Sequence, residues 1–550
     1  MNGNLRLRQD AAAAPENAAI LTPGRILFFL VLAAVAIRVM AALTRQMIQL
    51  DEANYVSMAK NLAAGLGPED ITRTTATHFS PLLPLFIAGA AVLTRSYVFA
   101  AYAVVTVFGG LILIPTYLLG AELASRRVGL MAAALMAVTP LFVDYSSRVY
   151  SESVYIFFML MGIVFGYRML RDRSTLAALL AGAAVGLAYL TNPSGIYYAV
   201  ALAGLAVAAG LVRRAWRPML RVLAAFLLVF MVCAAPYVLF LHGQLGKWTY
   251  DGKMNGGNIY NSLHNISANT LDWDKNLLSL NAGDTQLKVQ TLPEDDLLSF
   301  FVHHPVSAAK VFVRQSDAFY ARELAKVIPL WLLPLLGLGL FATGWSRRRA
   351  MNVGYLLLMM VPVLVILAMY AHDRFFMPFV PLIMIWVAEG WSHLAGWGRE
   401  TVSQVFAPPW QQPLRRWAPW LIGAAVLLPL LAFSAYNTVR QSYPVGYKDA
   451  GEYLKQTTGK GKKVMSREYS AAYYASDIAL LLPYASYADT TRYARLNGVN
   501  FLVITTQEIK DDRPLLQVLL EGRQAHPEWR LTGRIRAGTD QETLIFELNK

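Results

Sequence analysis

Residues 26–64 read ILFFLVLAAVAIRVMAALTRQMIQLDEANYVSMAKNLAA. The first part, 26–44, is almost wholly apolar, and about 20 such residues suffice for a helix to cross a bilayer. It is too long for the apolar region of a secretory signal, and no small-residue cleavage site precedes the acidic segment behind it. The chain therefore opens with a retained membrane helix that carries two carboxylates, Asp51 and Glu52, to the bilayer surface. From Glu52 to Ala64 apolar residues recur at helical spacing, which predicts a short amphipathic helix.

Working outward, comparable runs recur at 97–120, 128–146, 152–170, 195–212, 218–241, 327–344, 351–370, 374–391 and 418–436, with a shorter one at 176–191. Composition agrees: 56% of the 550 residues are hydrophobic and 15% charged, against about 45–50% and about 25% in soluble domains. An ordinary soluble protein and a disordered chain are both excluded. The net charge of +14 suits either nucleic acid or the inner loops of a membrane protein. The arginines decide: Arg126-Arg127, Arg171 and Arg173, Arg213 to Arg221, Arg347 to Arg349 and Arg415-Arg416 occupy alternate loops. That pattern marks one membrane face, the cytoplasmic one, and argues against a nucleic-acid groove. Residues 80–94 are apolar but short and hold two prolines. Read as a juxtamembrane or re-entrant helix, they leave eleven spans, a cytoplasmic N-terminus and an outer C-terminus. The one cysteine, Cys233, reads as a small buried hydrophobe and excludes an intrachain disulfide.

The predicted architecture is a polytopic α-helical membrane protein of about eleven transmembrane helices with a C-terminal α/β domain. It divides into a cytoplasmic tail (1–25), a membrane domain (26–436) with outer loops 45–79 and 242–325, and an outer α/β domain (437–550). The tail alternates helices at 449–457, about 486–497 and 513–521 with strands at 462–467, 500–506, 529–536 and 542–548, a pattern with its own core. A loop as long as 242–325 reads as a lid or binding loop.

Three polar groups share the outer face. Asp51-Glu52 is the first; Arg148-Val149-Tyr150-Ser151-Glu152 is the second; Tyr370-Ala371-His372-Asp373-Arg374 is the third. Either acid, taken alone, also reads as the charged first turn of a helix. Together, at similar depth, they suit chemistry on a lipid phosphate: a carboxylate as general base for the acceptor and cations for the charge on a leaving phosphate. Arg38, inside the first span, reads as snorkelling outward. His303-His304 beside Glu294, Asp295 and Asp296 lack a metal-ligand spacing, and no metal site is expected. No glycine-rich nucleotide motif is present.

The Asp-Glu pair after the first span, the run His78-Phe79-Ser80-Pro81-Leu82-Leu83-Pro84, the acid Glu152 and the run His372-Asp373-Arg374-Phe375-Phe376-Met377-Pro378 form one pattern. It resembles the GT-C membrane glycosyltransferases over about residues 20–400, in particular protein O-mannosyltransferase-like (family 39-like) enzymes and aminoarabinose transferases of lipid A. The tail resembles the periplasmic α/β domain of some bacterial members. The resemblance implies inversion at the anomeric carbon, a polyprenyl-phosphate sugar donor, and a lipid, glycan or protein acceptor. It implies the bacterial cytoplasmic (inner) membrane with its lipids, and no nucleic-acid partner. It makes Asp51 the base, with Glu52 and Glu152 as further catalytic acids. Arg148, His372 and Arg374 fall to the donor phosphate, and Tyr55 and His78 to substrate contacts. No cofactor is required, although a divalent metal at Asp51 and Glu152 is an alternative, as in metal-dependent oligosaccharide transferases. The chain departs from aminoarabinose transferases in having Ser-Pro-Leu-Leu-Pro where Lys-Pro-Pro is typical, and Glu rather than Asp in the second loop. The non-enzymatic alternative is a transporter or flippase of lipid-linked sugars, but repeated halves and broken polar helices at mid-membrane are not evident.

Overall fold

The computed structural model describes residues 22–253, 255–264, 270–280, 287, 297–364, 371–406, 408–521 and 526–549. The predicted tail 1–25 (save its last four residues), Glu294 to Asp296 and Tyr370 lie outside them. Eleven helices run from the start to the long loop: α1 (Pro23–Leu43), α2 (Leu50–Ala63), α3 (Leu82–Thr94), α4 (Tyr97–Leu111), α5 (Leu113–Leu123), α6 (Arg126–Val138), α7 (Pro140–Tyr145), α8 (Glu152–Asp172), α9 (Thr175–Thr191), α10 (Gly195–Val212) and α11 (Trp216–Leu245). The loop contributes α12 (Asn255–His264), α13 (Thr270–Leu277) and α14 (Leu297–His303). Then come α15 (Pro305–Ala318), α16 (Leu324–Val327), α17 (Leu333–Phe341), α18 (Arg347–Leu364), α19 (Asp373–Phe376), α20 (Phe379–Val405) and α21 (Pro408–Val439).

Local chemistry sets the helix starts. Ser96, Ser125 and Ser174 each accept a backbone N–H from the first turn of α4, α6 and α9, which satisfies a donor the helix leaves unpaired. Pro140 divides the predicted 128–146 span into α6 and α7, because proline has no N–H and clashes with the preceding turn. The carbonyls this break frees are taken up by neighbours. Arg38 is fully buried and donates to the Met136 and Ala137 carbonyls at 3.1 and 3.0 Å, and Ser434 Oγ donates to the Val138 carbonyl at 2.8 Å. Arg38 therefore does not snorkel. It repairs a broken helix, where a lipid environment leaves no water to do so.

Among the described residues, seven helices are long and apolar enough to span by themselves, or eight if the pair Pro305–Val327 and Leu330–Phe341, bent by 80°, is one span. The expected eleven included four weaker stretches: 128–146 is broken, 176–191 yields the 17-residue α9, 327–344 contains the bend, and 351–370 runs beyond the described residues. The 13-residue helix α3 is shorter than these spans. At its start Phe79 touches Tyr55 of α2, and past its end Ser96 and Tyr97 share a cleft with Tyr473 and Tyr474 of the C-terminal domain. The arginine-rich loops gather on the opposite face: Arg168 and Arg171 pair with Glu122, Arg213 donates to the Leu170 carbonyl, and Arg349 pairs with Glu389.

The C-terminal domain adds α22 (Val445–Thr458), β1 (Lys463–Ser466), α23 (Ser470–Ala475), β2 (Ile478–Leu481), α24 (Tyr487–Leu496), β3 (Phe501–Thr505), α25 (Thr506–Asp511), β4 (Trp529–Ile535) and β5 (Thr543–Leu548). The sheet order is β2-β1-β3-β5-β4, with β1 parallel to β2 and β3 and the β3–β5 and β5–β4 pairs antiparallel. Strand alternation gives the sheet two apolar faces. Val464, Phe501, Val503 and Ile545 join a core that continues into α2, α3 and α4; Met465, Leu502, Ile504, Leu544 and Phe546 form a second core with α24. The domain is thus fused to the membrane region through a shared core.

Candidate active site

Asp51 lies in the first turn of α2, Glu152 opens α8, and Arg374 lies in α19. The fold brings the three together. Arg374 Nη1 is 3.0 Å from Asp51 Oδ2 and its Nε donates to Glu152 Oε1. The guanidinium also covers the Tyr150 ring at 4.2 Å, a favourable cation–π contact. Glu152 and Arg374 line a crevice with Tyr155, Asn192, Tyr198 and Pro378. Two buried oxygens there, Glu152 Oε2 and Tyr198 Oη, have no hydrogen-bond partner. Leaving such groups unpaired costs about 1–3 kcal/mol each, so the crevice holds groups suited to a polar ligand.

Glu52 has a different position. One oxygen accepts the Gln49 N–H and the other the Val149 N–H, both at 2.8 Å. It caps α2 and ties that helix to the loop before α8, which fixes the spacing of Asp51 and Glu152. Its burial pushes its carboxyl above the usual range. Tyr55 is buried, hydrogen-bonded to Ser151, and packs its edge on Phe79 at 4.9 Å; Phe79 in turn contacts the His78 ring at 4.4 Å. His78 lies within electrostatic range of Asp51 and Asp70.

Arg148 and His372 are not bonded to the trio's carboxylates. Arg148 pairs with Asp144 at 3.1 Å, and Asp144 is shared with Arg45 at 2.7 Å. His372 pairs with Asp373 at 2.7 Å, and Asp373 also accepts the Tyr145 hydroxyl at 2.9 Å. These second clusters brace the segments that bear Glu152 and Arg374. Arg45, Asp144, Tyr150 and Glu468 were not singled out from the sequence. Asp144 had a legible signal, a carboxylate inside an apolar run. Glu468 had none. It follows β1 in the C-terminal domain, within electrostatic range of Asp51, and burial pushes its carboxyl up to about 7, with Arg467 opposing.

The position between Asp51 and Glu152 is filled by Arg374, and among the described residues no group of three or more His, Cys, Asp or Glu is arranged for an ion.

A family model described as dolichyl-phosphate-mannose-protein mannosyltransferase matches residues 78–240. No curated protein matches the chain. Among solved structures, ArnT from Cupriavidus metallidurans bound to undecaprenyl phosphate is similar at a TM-score of 0.56 and 13% identity, over 94% of this chain and 97% of that one. The archaeal oligosaccharyltransferase AglB from Archaeoglobus fulgidus, in complex with an inhibitory peptide and a dolichol-phosphate, is similar at 0.54 and 12% identity, over 96% of this chain and 74% of that one.

Proposed function

We propose, for a chain that has the fold of the GT-C membrane glycosyltransferases, that it moves a sugar from a polyprenyl-phosphate carrier to a lipid, glycan or protein acceptor on the outer face of the membrane. The observation that carries this reading is the trio itself: one guanidinium between two carboxylates, at a crevice on the face that bears the C-terminal domain. In the proposed reaction Asp51 accepts the proton of the acceptor hydroxyl. The oxygen attacks the anomeric carbon, the bond from that carbon to the carrier phosphate breaks with its electron pair, and configuration inverts. Arg374 has five N–H donors and spends two on Asp51 and Glu152, so it keeps donors for the departing phosphate. Glu152 orients Arg374, and Glu52 acts as a positioning residue through Gln49 and Val149. No step uses a metal, and the membrane we assign is the bacterial inner membrane.

Native mass spectrometry of the purified protein tests the reading. A co-bound polyprenyl phosphate, with or without a sugar mass, is expected in the wild type and depleted in Arg374→Ala. Retention of the lipid at wild-type occupancy in that variant removes Arg374 from the donor site.

A further inference from the structure

A second cleft lies apart from the trio. Lys60 is nine residues after Asp51 on α2, roughly 13 Å along the helix axis at 1.5 Å per residue. There α2, the hairpin around Arg73, the start of α4 and the C-terminal domain border a cleft of about 450 Å³, lined in part by Lys60, Arg73, Tyr97, Lys455, Tyr473 and Tyr474.

The charges in it are unbalanced in a particular way. Its acids are engaged on the walls through one oxygen each: Asp70 Oδ1 accepts the Thr72 N–H at 2.8 Å and the Thr72 hydroxyl at 2.6 Å, and Asp477 Oδ1 accepts the Lys462 N–H at 3.0 Å while its buried Oδ2 has no hydrogen-bond partner. Its three cations, Lys60, Arg73 and Lys455, make no ion pair among the described residues. The two lysines sit in the last turns of α2 and α22, where the helix dipole favours them. Arg73 has no such reason. It is held by the Asp70 turn at φ 63°, a left-handed conformation that costs a non-glycine residue of order 1 kcal/mol or more and that clusters at ligand sites.

The walls are preformed. The Ala479 N–H donates to the Ile71 carbonyl at 3.2 Å, and the Ile48 N–H to Tyr474 Oη at 2.9 Å, so both domains hold the cleft open in one geometry. Its three phenol rings combine flat apolar faces with polar edges, which suit the C–H face and the hydroxyls of a pyranose. Beside the mouth, Val92, Leu93 and Phe99 expose 78%, 87% and 64% of their surface, which places the mouth at the bilayer boundary.

We propose that this cleft binds a saccharide bearing an acidic group, a phosphate or a carboxylate, on the rings of Tyr97, Tyr473 and Tyr474 and the charges of Lys60, Arg73 and Lys455. The proposal does not rest on the transfer reaction and is tested without it. Full-length protein in nanodiscs is titrated with a soluble hexaglucuronate, with neutral maltohexaose as control. In parallel, nanodiscs carrying glucuronosyl diacylglycerol are compared with discs carrying its glucosyl counterpart. Saturable binding of the soluble probe identifies a mobile glycan as the source; binding of the lipid-held probe alone identifies a headgroup. In either case Arg73→Gln/Lys455→Gln weakens binding at least tenfold, Lys60→Gln weakens it about threefold, and Asp51→Asn leaves it unchanged. The proposal is overturned if neither acidic probe binds, if the neutral partners bind equally, if the folded double variant binds like wild type, or if Asp51→Asn removes the binding.

Discussion

The molecule contains two arginine–carboxylate clusters of similar composition, and their difference separates chemistry from architecture. At the crevice, Arg374 serves Asp51 and Glu152 with 19%, 29% and 6% of their side chains exposed. In the C-terminal domain, Arg513 and Arg467 both reach Asp274 Oδ2 at 3.0 Å, and Arg513 also pairs with Glu508; Arg513 and Asp274 are 1% and 0% exposed. The second cluster pins α13 of the 242–325 loop to the domain through a sealed Arg513–Asp274 pair, with Arg467 at its edge 27% exposed. The first lines a crevice. Charges of the same kind thus serve as a device for binding and transfer where access remains, and as a rivet where it does not. A buried pair is strongly destabilising only when one partner is removed, and that asymmetry lets the two be told apart.

The comparison breaks most visibly at Asp51. Asp51→Asn is expected to lower sugar transfer about 10²–10⁴-fold, the range for losing a general base, while the thermal midpoint stays at the wild-type value; full activity would sink the assignment. Removing a carboxylate from the sealed cluster should do the reverse. Asp274→Ala breaks the buried pairs with Arg513 and Arg467, leaving them Glu508 and Glu468, and is expected to cost about 3 kcal/mol, the low end for breaking a buried pair, read as a lowered unfolding midpoint in detergent. A midpoint like that of wild type would mean that this cluster is not a rivet. Arg374→Lys keeps the charge but loses the planar fork, so donor binding should fall less than in Arg374→Ala, and equal loss in both would show that geometry is everything there.

The smallest effect lies between the clusters, at Glu468. Its folded carboxyl is raised from 4.5 to about 7. Between those values the native state holds a proton that the unfolded chain has released, so stability falls as pH rises from about 4.5 to about 7 and then levels. Glu468→Gln should flatten that slope in thermal midpoints taken from pH 4.5 to 8. An unchanged slope would assign the dependence to other groups.

Much of the fold was legible because a bilayer imposes a length and polarity rule that any sequence must display. The arginine loops, the shortness of the apolar helix at 82–94 and most of the alternating elements of the tail follow from it or from strand and helix periodicity. Three features of the tail were missed, α23, β2 and α25, and the helix expected at 513–521 is the 3-10 helix Pro514–Leu520. All three are short, and the Ser470–Ala475 run carries little periodicity to read. The breaks at Pro140 and near Pro329 turned single apolar runs into bent or divided helices, since composition alone does not register where a ladder of hydrogen bonds is cut.

By itself the sequence determined a membrane protein with scarce acids placed at one face, because spans, loop charges and helix starts are local properties of the chain. Only the tertiary structure decided which cation meets which acid. Arg374 stands 323 residues from Asp51 and 222 from Glu152, whereas Arg148, the nearer candidate, is taken by Asp144 four residues away. Ion pairing is settled by distances of a few ångströms, since charge interactions fall off with separation and with water between the partners. Those distances exist only once the helices have packed.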